Sequence, residues 1–345
     1  MAPMTRVLKI AATLPVLACT AWAAAAVAWA PSGPGAGTVT AGVALAAGCV
    51  LVWLGPLPRP LRAIPARLAM LGIAWGAVLA WFLTTPAPAS ADWQPDVAEV
   101  ADFELEGDRI TVSGVRNFRY RTSDTDAEPR WEDRAFDLDR IRTVDLFFSF
   151  WGPRLICHNF VSFGFERDDG TMDHVAVSIE ARKRVGQSYS AVGGLFRQFA
   201  LIYVWADERD LVGVRTRFRG EQVRRYRIES KPENVRILFE RYVADTMHLA
   251  SSPQWYNAVT ENCGVDILRT AWGRSVPFLP GPSTLLNGTW EEQAWAEGRI
   301  APAESLEATL RAADVTDDSR AAADEDFSRA IRARDVRMRM GPPAK

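Results

Sequence analysis

The stretch LICHNFVSFGFERDDGTMDHVAVSIE, which runs from Leu155 to Glu180, decides the fold of the part of this chain that follows its apolar N-terminus. Two runs of alternating apolar and small or polar residues flank Arg167-Asp168-Asp169-Gly170, and such residues favour a tight turn. Alternation over this length is typical of β-strands. The stretch therefore predicts an antiparallel hairpin with strands at 155–165 and 173–180.

Outward from this hairpin, short alternating runs predict further strands, and helical spacing predicts two helices. The strands are expected within 101–115, as a hairpin around Glu106-Gly107-Asp108, and at 117–120, 143–150, 200–205, 212–218 and 225–228. One helix is expected from Pro232 to Ala250 and another from about Glu261 to Trp272. The pattern predicts an α+β domain with an antiparallel sheet.

The N-terminal part of the chain has a different composition. Residues 1–90 contain five basic residues and no acidic one, which leaves 35 basic and 42 acidic residues in the rest of the chain. Uncharged stretches of 18 to 21 residues lie at 10–30, 38–58 and 68–85, each long enough to cross a hydrocarbon core of about 30 Å. Three transmembrane helices are predicted. The acidic remainder argues against nucleic acid as a partner.

The basic residues predict how these helices are oriented. They lie before the first helix and between the second and third, whereas the connection between the first two helices is uncharged. By the positive-inside rule the N-terminus is cytoplasmic, and three crossings place the rest of the chain outside. Two alternatives are a cleaved signal peptide over residues 1–30 and a lipoprotein cleavage box at Val16-Leu17-Ala18-Cys19. The apolar run continues for eleven residues past Cys19, which favours a membrane-spanning helix.

The chain is thus divided into three parts. Residues 1–88 form a membrane anchor, residues 89–300 form the α+β domain, and residues 301–345 form a charged C-terminal tail. Residues 311–345 have few large apolar side chains, so a loosely attached helix or a disordered tail is expected there.

The candidate chemistry of the α+β domain depends on one cysteine and one histidine. Cys263 is expected in the first turn of its helix, where unpaired N–H groups and the helix dipole favour a thiolate and could hold an oxyanion. His158 lies on a distant predicted strand, which is where a cysteine protease-like site finds its base. The alternatives are a small buried cysteine and a structural histidine. Of the other two histidines, His174 is expected to be exposed next to the hairpin turn and His248 to lie late on a helix.

Further site residues follow from the hairpin. Glu180 on the second strand is the candidate that orients the His158 imidazole, and its alternative is a surface ion pair with Arg182 or Lys183. Asn262 is a candidate oxyanion donor. Arg182 and Lys183 are candidates for binding lipid phosphate, although such a run is commonly only a solvated strand end. No Cys-x-x-Cys motif or Cys/His cluster occurs, so neither a metal nor a cofactor is expected.

Several blocks of sequence carry a resemblance to a known family. They are, in chain order, Asn117 to Thr122, Val144 to Gly152, His158 with Ser162-Phe163-Gly164-Phe165, Ser178 to Lys183, Ser188-Tyr189-Ser190, Ala206 to Asp210, and Trp255-Tyr256-Asn257 before Thr260-Glu261-Asn262-Cys263. With these blocks, residues 95–280 resemble the Lnb N-terminal periplasmic domain family. The resemblance implies a circularly permuted papain-like (NlpC/P60-like) domain in which the histidine precedes the cysteine.

The resemblance also implies a function. The family is named after a bacterial lipoprotein N-acyltransferase, which implies a thiol acyl-enzyme on the periplasmic side of the inner membrane, with membrane lipid or lipoprotein as substrate. We expect Cys263, His158 and Glu180 to be the catalytic set, with Asn262, Arg182 and Lys183 binding substrate. Two alternatives remain: a thiol amidase or peptidase acting on the cell wall, and a periplasmic sensor or scaffold domain without activity.

Overall fold

The computed structural model describes residues 2–29, 31, 35–260, 263–272, 286–300 and 305–339. The chain divides into two compact units. The first consists of Met1–Pro88, Ser188–Ala200 and Gln254–Ala258, and the second of Ala89–Gln187, Leu201–Pro253 and Val259–Lys345. The predicted anchor is therefore one unit together with two short segments from later in the chain.

Three long apolar helices form most of the first unit: α1 (Ala2–Trp29), α2 (Ala36–Leu54) and α3 (Ile64–Thr84). Spans of 21, 19 and 21 residues within them are long and apolar enough to cross a membrane, as predicted. Arg67 donates hydrogen bonds to the carbonyls of Val52, Trp53 and Gly55 at the end of α2. These carbonyls lack partners within their own helix, so Arg67 caps α2.

A mixed sheet dominates the second unit. Its strands are β1 (Asp102–Glu106), β2 (Arg109–Arg116), β5 (Trp131–Asp137), β6 (Ile141–Phe150), β7 (His158–Glu166), β8 (Met172–Arg182), β9 (Ala200–Ala206), β10 (Gln222–Ile228) and β11 (Arg337–Met338), while β3 (Arg119–Tyr120) and β4 (Ala127–Glu128) pair separately. The order is β1-β2-β9-β8-β7-β6-β10-β11, with β5 also paired to β2. Most pairings are antiparallel, as predicted, whereas β2–β9 and β10–β11 are parallel.

The helices of the described residues outside the anchor are mostly short. They are α4 (Ala191–Leu195), α5 (Glu208–Gly213), α6 (Pro232–Ser251), α7 (Cys263–Trp272), α8 (Trp290–Ala296), α9 (Leu306–Ala313), α10 (Thr316–Ala321) and α11 (Phe327–Ala330). The strand predicted at 212–218 is wrong, because α5 continues there as a π-helical turn, Val214–Phe218. Asp207 caps α5 by accepting the N–H of Arg209, at 2.9 Å, and so starts a helix where the apolar alternation favoured a strand.

The hairpin predicted from Leu155 to Glu180 is present as β7 and β8. Its register pairs Phe160 with Ser178 and Gly164 with His174. Gly170 closes the turn with φ of 77°, a left-handed conformation that favours glycine. Side chains alternate along both strands, so His158, Phe160, Ser178 and Glu180 all lie on one face of the hairpin.

The expectation of a loosely attached helix or a disordered tail over residues 311–345 is wrong for its described part, residues 311–339. Val315, Phe327 and Ile331 are buried in the same apolar cluster as Phe147 and Phe160 of the sheet. β11 adds a strand beside β10. A few well-placed apolar side chains are enough here because they complete a core that the sheet provides, rather than build one of their own.

Buried charges also hold the C-terminal segment to the sheet. Arg332 donates to Asp145 at 2.8 Å and forms a second ion pair with Glu208, and both carboxylates are fully buried. Burial disfavours the charged form of Glu208, but Arg332 outweighs that and lowers the pKa of this carboxyl to about 2.

His174 lies beside this cluster and is buried, contrary to its predicted exposure. Only 5% of the residue is exposed, and neither ring nitrogen has a hydrogen-bond partner within the described part of the chain. Burial and the Arg332 charge lower the pKa of His174 to about 4. No local sequence pattern indicates that Arg332 packs near this strand, so the burial of His174 could not be predicted.

Candidate functional site

His158 is the first residue of β7, and its imidazole faces two side chains of β8. Its Nε2 atom lies 2.7 Å from Ser178 Oγ and 3.2 Å from Glu180 Oε1. Ser178 Oγ also donates to Glu180 Oε1 at 2.7 Å. The β7–β8 register, extended by two residues from the Phe160–Ser178 pair, places His158 opposite Glu180. The structure thus brings Glu180 to the imidazole.

Arg215 supports Glu180 from the π-helical turn. Its Nη2 atom donates to Glu180 Oε1 at 2.9 Å, and its guanidinium lies over the Phe160 ring, 5.0 Å from the ring centre. Burial opposes ionisation of Glu180, but His158 and Arg215 outweigh it and hold the pKa of this carboxyl well below its usual range. The carboxylate is therefore charged when it faces the imidazole.

Cys263 is the first residue of α7, and its sulfur lies against the start of β7. The sulfur accepts the backbone N–H of Asn159 at 3.5 Å and lies 3.9 Å from the Cys157 carbonyl oxygen. Cys263 also lies close enough to His158 to raise the pKa of the imidazole. The structure therefore places the two predicted residues near each other.

The charge of His158 follows from these contacts. Burial by itself lowers the pKa of the imidazole, but Glu180 and Cys263, through their charges and hydrogen bonds, outweigh it and raise the pKa to about 9. An imidazolium is thus the stable form near neutral pH.

Asn287 is a further part of the site that the sequence interpretation missed. Its Nδ2 atom donates to the Cys157 carbonyl at 2.8 Å and to Asn159 Oδ1 at 2.7 Å, and it lies 3.8 Å from the Cys263 sulfur. Its Oδ1 atom accepts the Cys157 N–H at 3.0 Å. One buried amide thus ties the start of β7 to the beginning of α7.

Two glycines permit this close packing. A Cβ atom on Gly288 would lie 2.1 Å from the Arg154 carbonyl oxygen, so only glycine fits where the chain passes residues 154–156. A Cβ atom on Gly264 would lie 3.3 Å from Asn287 Nδ2. The one feature of the local sequence that could have indicated this part of the site is the pair Asn287-Gly288. Such a pair normally indicates a surface turn rather than a buried amide that joins two elements.

The second extramembrane thiol differs from Cys263. Cys157 is almost fully buried, and burial together with the nearby charge of Cys263 raises its pKa far above the usual range. Both thiols are free, as are Cys19 and Cys49. Cys157 and Cys263 are therefore not joined by a disulfide.

The predicted substrate-binding residues have other partners or lie outside the described residues. Arg182 donates to the carbonyls of Val97 and Ala98, at 2.9 and 2.6 Å, and stacks on Trp93. Lys183 faces Asp96 at 3.9 Å. Both cations thus hold the segment that precedes β1, which weakens the case for phosphate binding. Asn262 lies outside the described residues.

No group of three or more histidine, cysteine or acidic side chains suited to a metal ion occurs among the residues that the structure describes. The fold and site define an α+β protein that has three helices long and apolar enough to cross a membrane and a buried thiol, imidazole and carboxylate near one another. Residues 127–283, a little under half of the chain, match the Lnb N-terminal periplasmic domain family. This match confirms the resemblance.

The match contains His158, Glu180 and Cys263, and it ends before Asn287. Together with the three apolar helices it fits a membrane protein that has a periplasmic domain. Searches of curated proteins and of solved structures gave no match for this chain.

Proposed function

We propose that this protein is a periplasmic thiol acyltransferase or hydrolase anchored in the bacterial inner membrane with its N-terminus in the cytoplasm. The single observation that supports the proposal most is the proximity of Cys263 to a His158 imidazole whose Nε2 atom lies 3.2 Å from Glu180 Oε1. A helix-start thiol, a strand imidazole and an orienting acceptor are the parts of a papain-like site. We further propose that the domain is a circularly permuted member of that class.

In the first step, the Cys263 thiolate attacks the carbonyl carbon of an acyl ester. A C–S bond forms, and the carbonyl π electrons move onto oxygen to give a tetrahedral oxyanion. When the oxyanion collapses, the C–O bond of the ester breaks, and the His158 imidazolium gives its proton to the departing alkoxide. The products are an alcohol, a thioester on Cys263 and a neutral imidazole.

In the second step, the neutral His158 accepts a proton from the attacking amine or water as that group bonds to the thioester carbon. The C–S bond breaks, the acylated amine or free acid leaves, and the thiolate–imidazolium pair is restored. Glu180 stabilises the imidazolium at the start and end of each cycle. The Asn159 N–H donates to the sulfur and is our candidate for oxyanion stabilisation.

We propose a lipid or lipoprotein as substrate, because the chain that carries the site is anchored in the bilayer. Three apolar helices keep the domain at the membrane where such a substrate is confined. The resemblance to the family supports the same class of substrate.

Mass spectrometry of lipoprotein N-termini tests the proposal. Cells that carry the wild-type protein are compared with cells that carry Cys263→Ser. Cys157→Ser serves as the matched control, because that neighbouring thiol is not part of the proposed catalytic set. Loss of N-acylation in Cys263→Ser alone is the expected result. Unchanged lipoproteins with altered cell-wall peptides would instead indicate the amidase alternative, and no change in either would overturn the enzymatic proposal.

Thiol labelling in intact membranes gives a test that needs no substrate. We expect iodoacetamide to modify Cys263 faster than Cys157 near neutral pH, because burial keeps Cys157 protonated. Equal slow labelling of the two residues would favour a scaffold domain.

A further inference from the structure

The two short segments that join the membrane helices in the first unit, Ser188–Ala200 and Gln254–Ala258, form what we call the interfacial platform. Within it, Tyr189 stacks on Phe199 and meets the Tyr256 ring edge-on, and the Tyr256 N–H donates to the Phe199 carbonyl at 3.0 Å. The two segments therefore pack as one piece.

The interfacial platform caps the ends of two membrane helices. Arg197 donates to the carbonyls of Phe82 and Thr85 at the end of α3, and Trp255 Nε1 donates to the Thr85 carbonyl at 2.9 Å. Gln198 donates to the Trp29 carbonyl at the end of α1, at 3.1 Å. These carbonyls have no partner within their helices and no water in a bilayer, so such donors stabilise the ends.

Arg197 reaches these carbonyls from a strained backbone. Its φ is 56°, in the left-handed region that side chains other than glycine seldom adopt. Its guanidinium also lies 4.6 Å from the centre of the Phe82 ring. The contacts with α3 hold the residue in this conformation.

One apolar side chain of the interfacial platform packs between α1 and α3, away from their ends and toward the middle of the helices. Phe196 is buried in one cluster with Ala26 of α1 and Phe82 of α3, and Trp22 and Val78 pack against that cluster. Val78 lies six residues before the end of α3, which is about 9 Å along the helix axis at 1.5 Å per residue. The cluster therefore extends to hydrocarbon depth in any bilayer that α1 and α3 span.

Next to Phe196, α4 exposes apolar side chains. Val192 and Leu195 are 42% and 40% exposed, and Tyr189 is 50% exposed. These side chains give the segment an exposed apolar surface, and no acidic or basic residue occurs from Ser188 to Phe196. An apolar surface at this depth fits lipid acyl chains, with the tyrosine at the headgroup level.

We propose that the interfacial platform is embedded in the outer surface of the bilayer, with Val192 and Leu195 in contact with lipid acyl chains. The platform segments lead directly into two parts of the second unit, since Ala200 begins β9 and residue 258 is followed by the short connection to Cys263 of α7. The proposal concerns membrane contact alone and does not depend on the proposed enzymatic function.

The test measures the depth of a fluorescent label on the full-length protein in phosphatidylcholine nanodiscs. An environment-sensitive nitrobenzoxadiazole label is attached at Val192→Cys or Leu195→Cys, in a background with Cys19→Ala and Cys263→Ser. Leu105→Cys is the matched control, because Leu105 is an exposed apolar residue, 61% exposed, on β1 of the second unit. All three positions are exposed, so the substitutions leave the core intact.

We expect labels at 192 and 195 to show blue-shifted emission, quenching by nitroxide-bearing phosphatidylcholine and protection from aqueous iodide. The label at 105 should show the opposite pattern. Strong iodide quenching at 192 and 195, with no quenching by the nitroxide lipid, would overturn the proposal. If the labels at 192 and 195 are instead shielded from both quenchers, a protein contact covers the platform and the proposal fails as well.

Discussion

His158 Nε2 lies 3.2 Å from Glu180 Oε1, and Ser178 Oγ is within hydrogen-bond distance of both atoms. This relationship fixes which ring nitrogen faces the carboxylate. It also explains why a buried imidazole is charged, since burial by itself favours the neutral ring.

We predict that Glu180→Gln lowers the pKa of His158 from its value of about 9. The neutral amide removes the charge that favours imidazolium, so the ring loses its proton at lower pH. The chain has three histidines, so NMR of histidine-labelled protein can follow each one. Glu166→Gln, which alters a partner of Arg142 at the other end of β7, should leave the titration of His158 unchanged. An unshifted midpoint in Glu180→Gln would show that Glu180 does not control the imidazole.

We predict that Asn287→Ala reduces the free energy of unfolding by about 1–3 kcal/mol, because it leaves buried polar groups of Cys157 and Asn159 without their partner. The same variant should slow alkylation of Cys263, since the thiol loses its fixed position against β7. Denaturant unfolding and iodoacetamide labelling measure the two effects. Asn234→Ala, on the exposed side of α6, is the control and should change neither. An unchanged free energy of unfolding in Asn287→Ala would show that this amide does not tie β7 to α7.

We predict that Arg332→Leu destabilises the fold by about 3–5 kcal/mol, because it leaves the buried carboxylate of Glu208 without its ion-pair partner. Asp145 retains Arg225 and Arg227, so the loss arises mainly at Glu208. Arg329→Leu removes a side chain that is 80% exposed and should cost less than about 1 kcal/mol. Equal denaturation midpoints for the two variants would mean that the C-terminal segment contributes little to the fold.

We predict that stability falls on acidification partly through His174. Its pKa is about 4 in the folded protein and 6.5 in the unfolded reference, so the unfolded chain binds a proton first as the pH falls. The stabilisation is therefore complete above about pH 6.5 and is lost progressively as the pH falls through 4, by roughly 3 kcal/mol in total. His174→Gln should flatten this part of the curve of unfolding free energy against pH. An identical slope in the variant would exclude His174 as the cause.

The sequence was sufficient for features that depend on local pattern. The three apolar helices follow from runs of uncharged residues, and the β7–β8 hairpin follows from alternation around Arg167 to Gly170. The choice of Glu180 also followed from strand alternation, because neighbouring antiparallel strands present facing side chains to the same side. The strand predicted at 212–218 failed because alternation there was overridden by a helix cap at Asp207.

Contacts between distant segments were decided by the tertiary structure alone. Arg182 binds the carbonyls of Val97 and Ala98, Asn287 closes over Cys157, and Arg332 reaches Asp145 across 187 positions of the chain. No periodicity or spacing in the sequence predicts these contacts. Each depends on which surfaces the completed sheet leaves uncovered. The sequence by itself determined the membrane helices, the central hairpin and the choice of one thiol and one imidazole. The fold decided that these two groups meet, since only packing of α7 against the start of β7 brings residues 263 and 158 together.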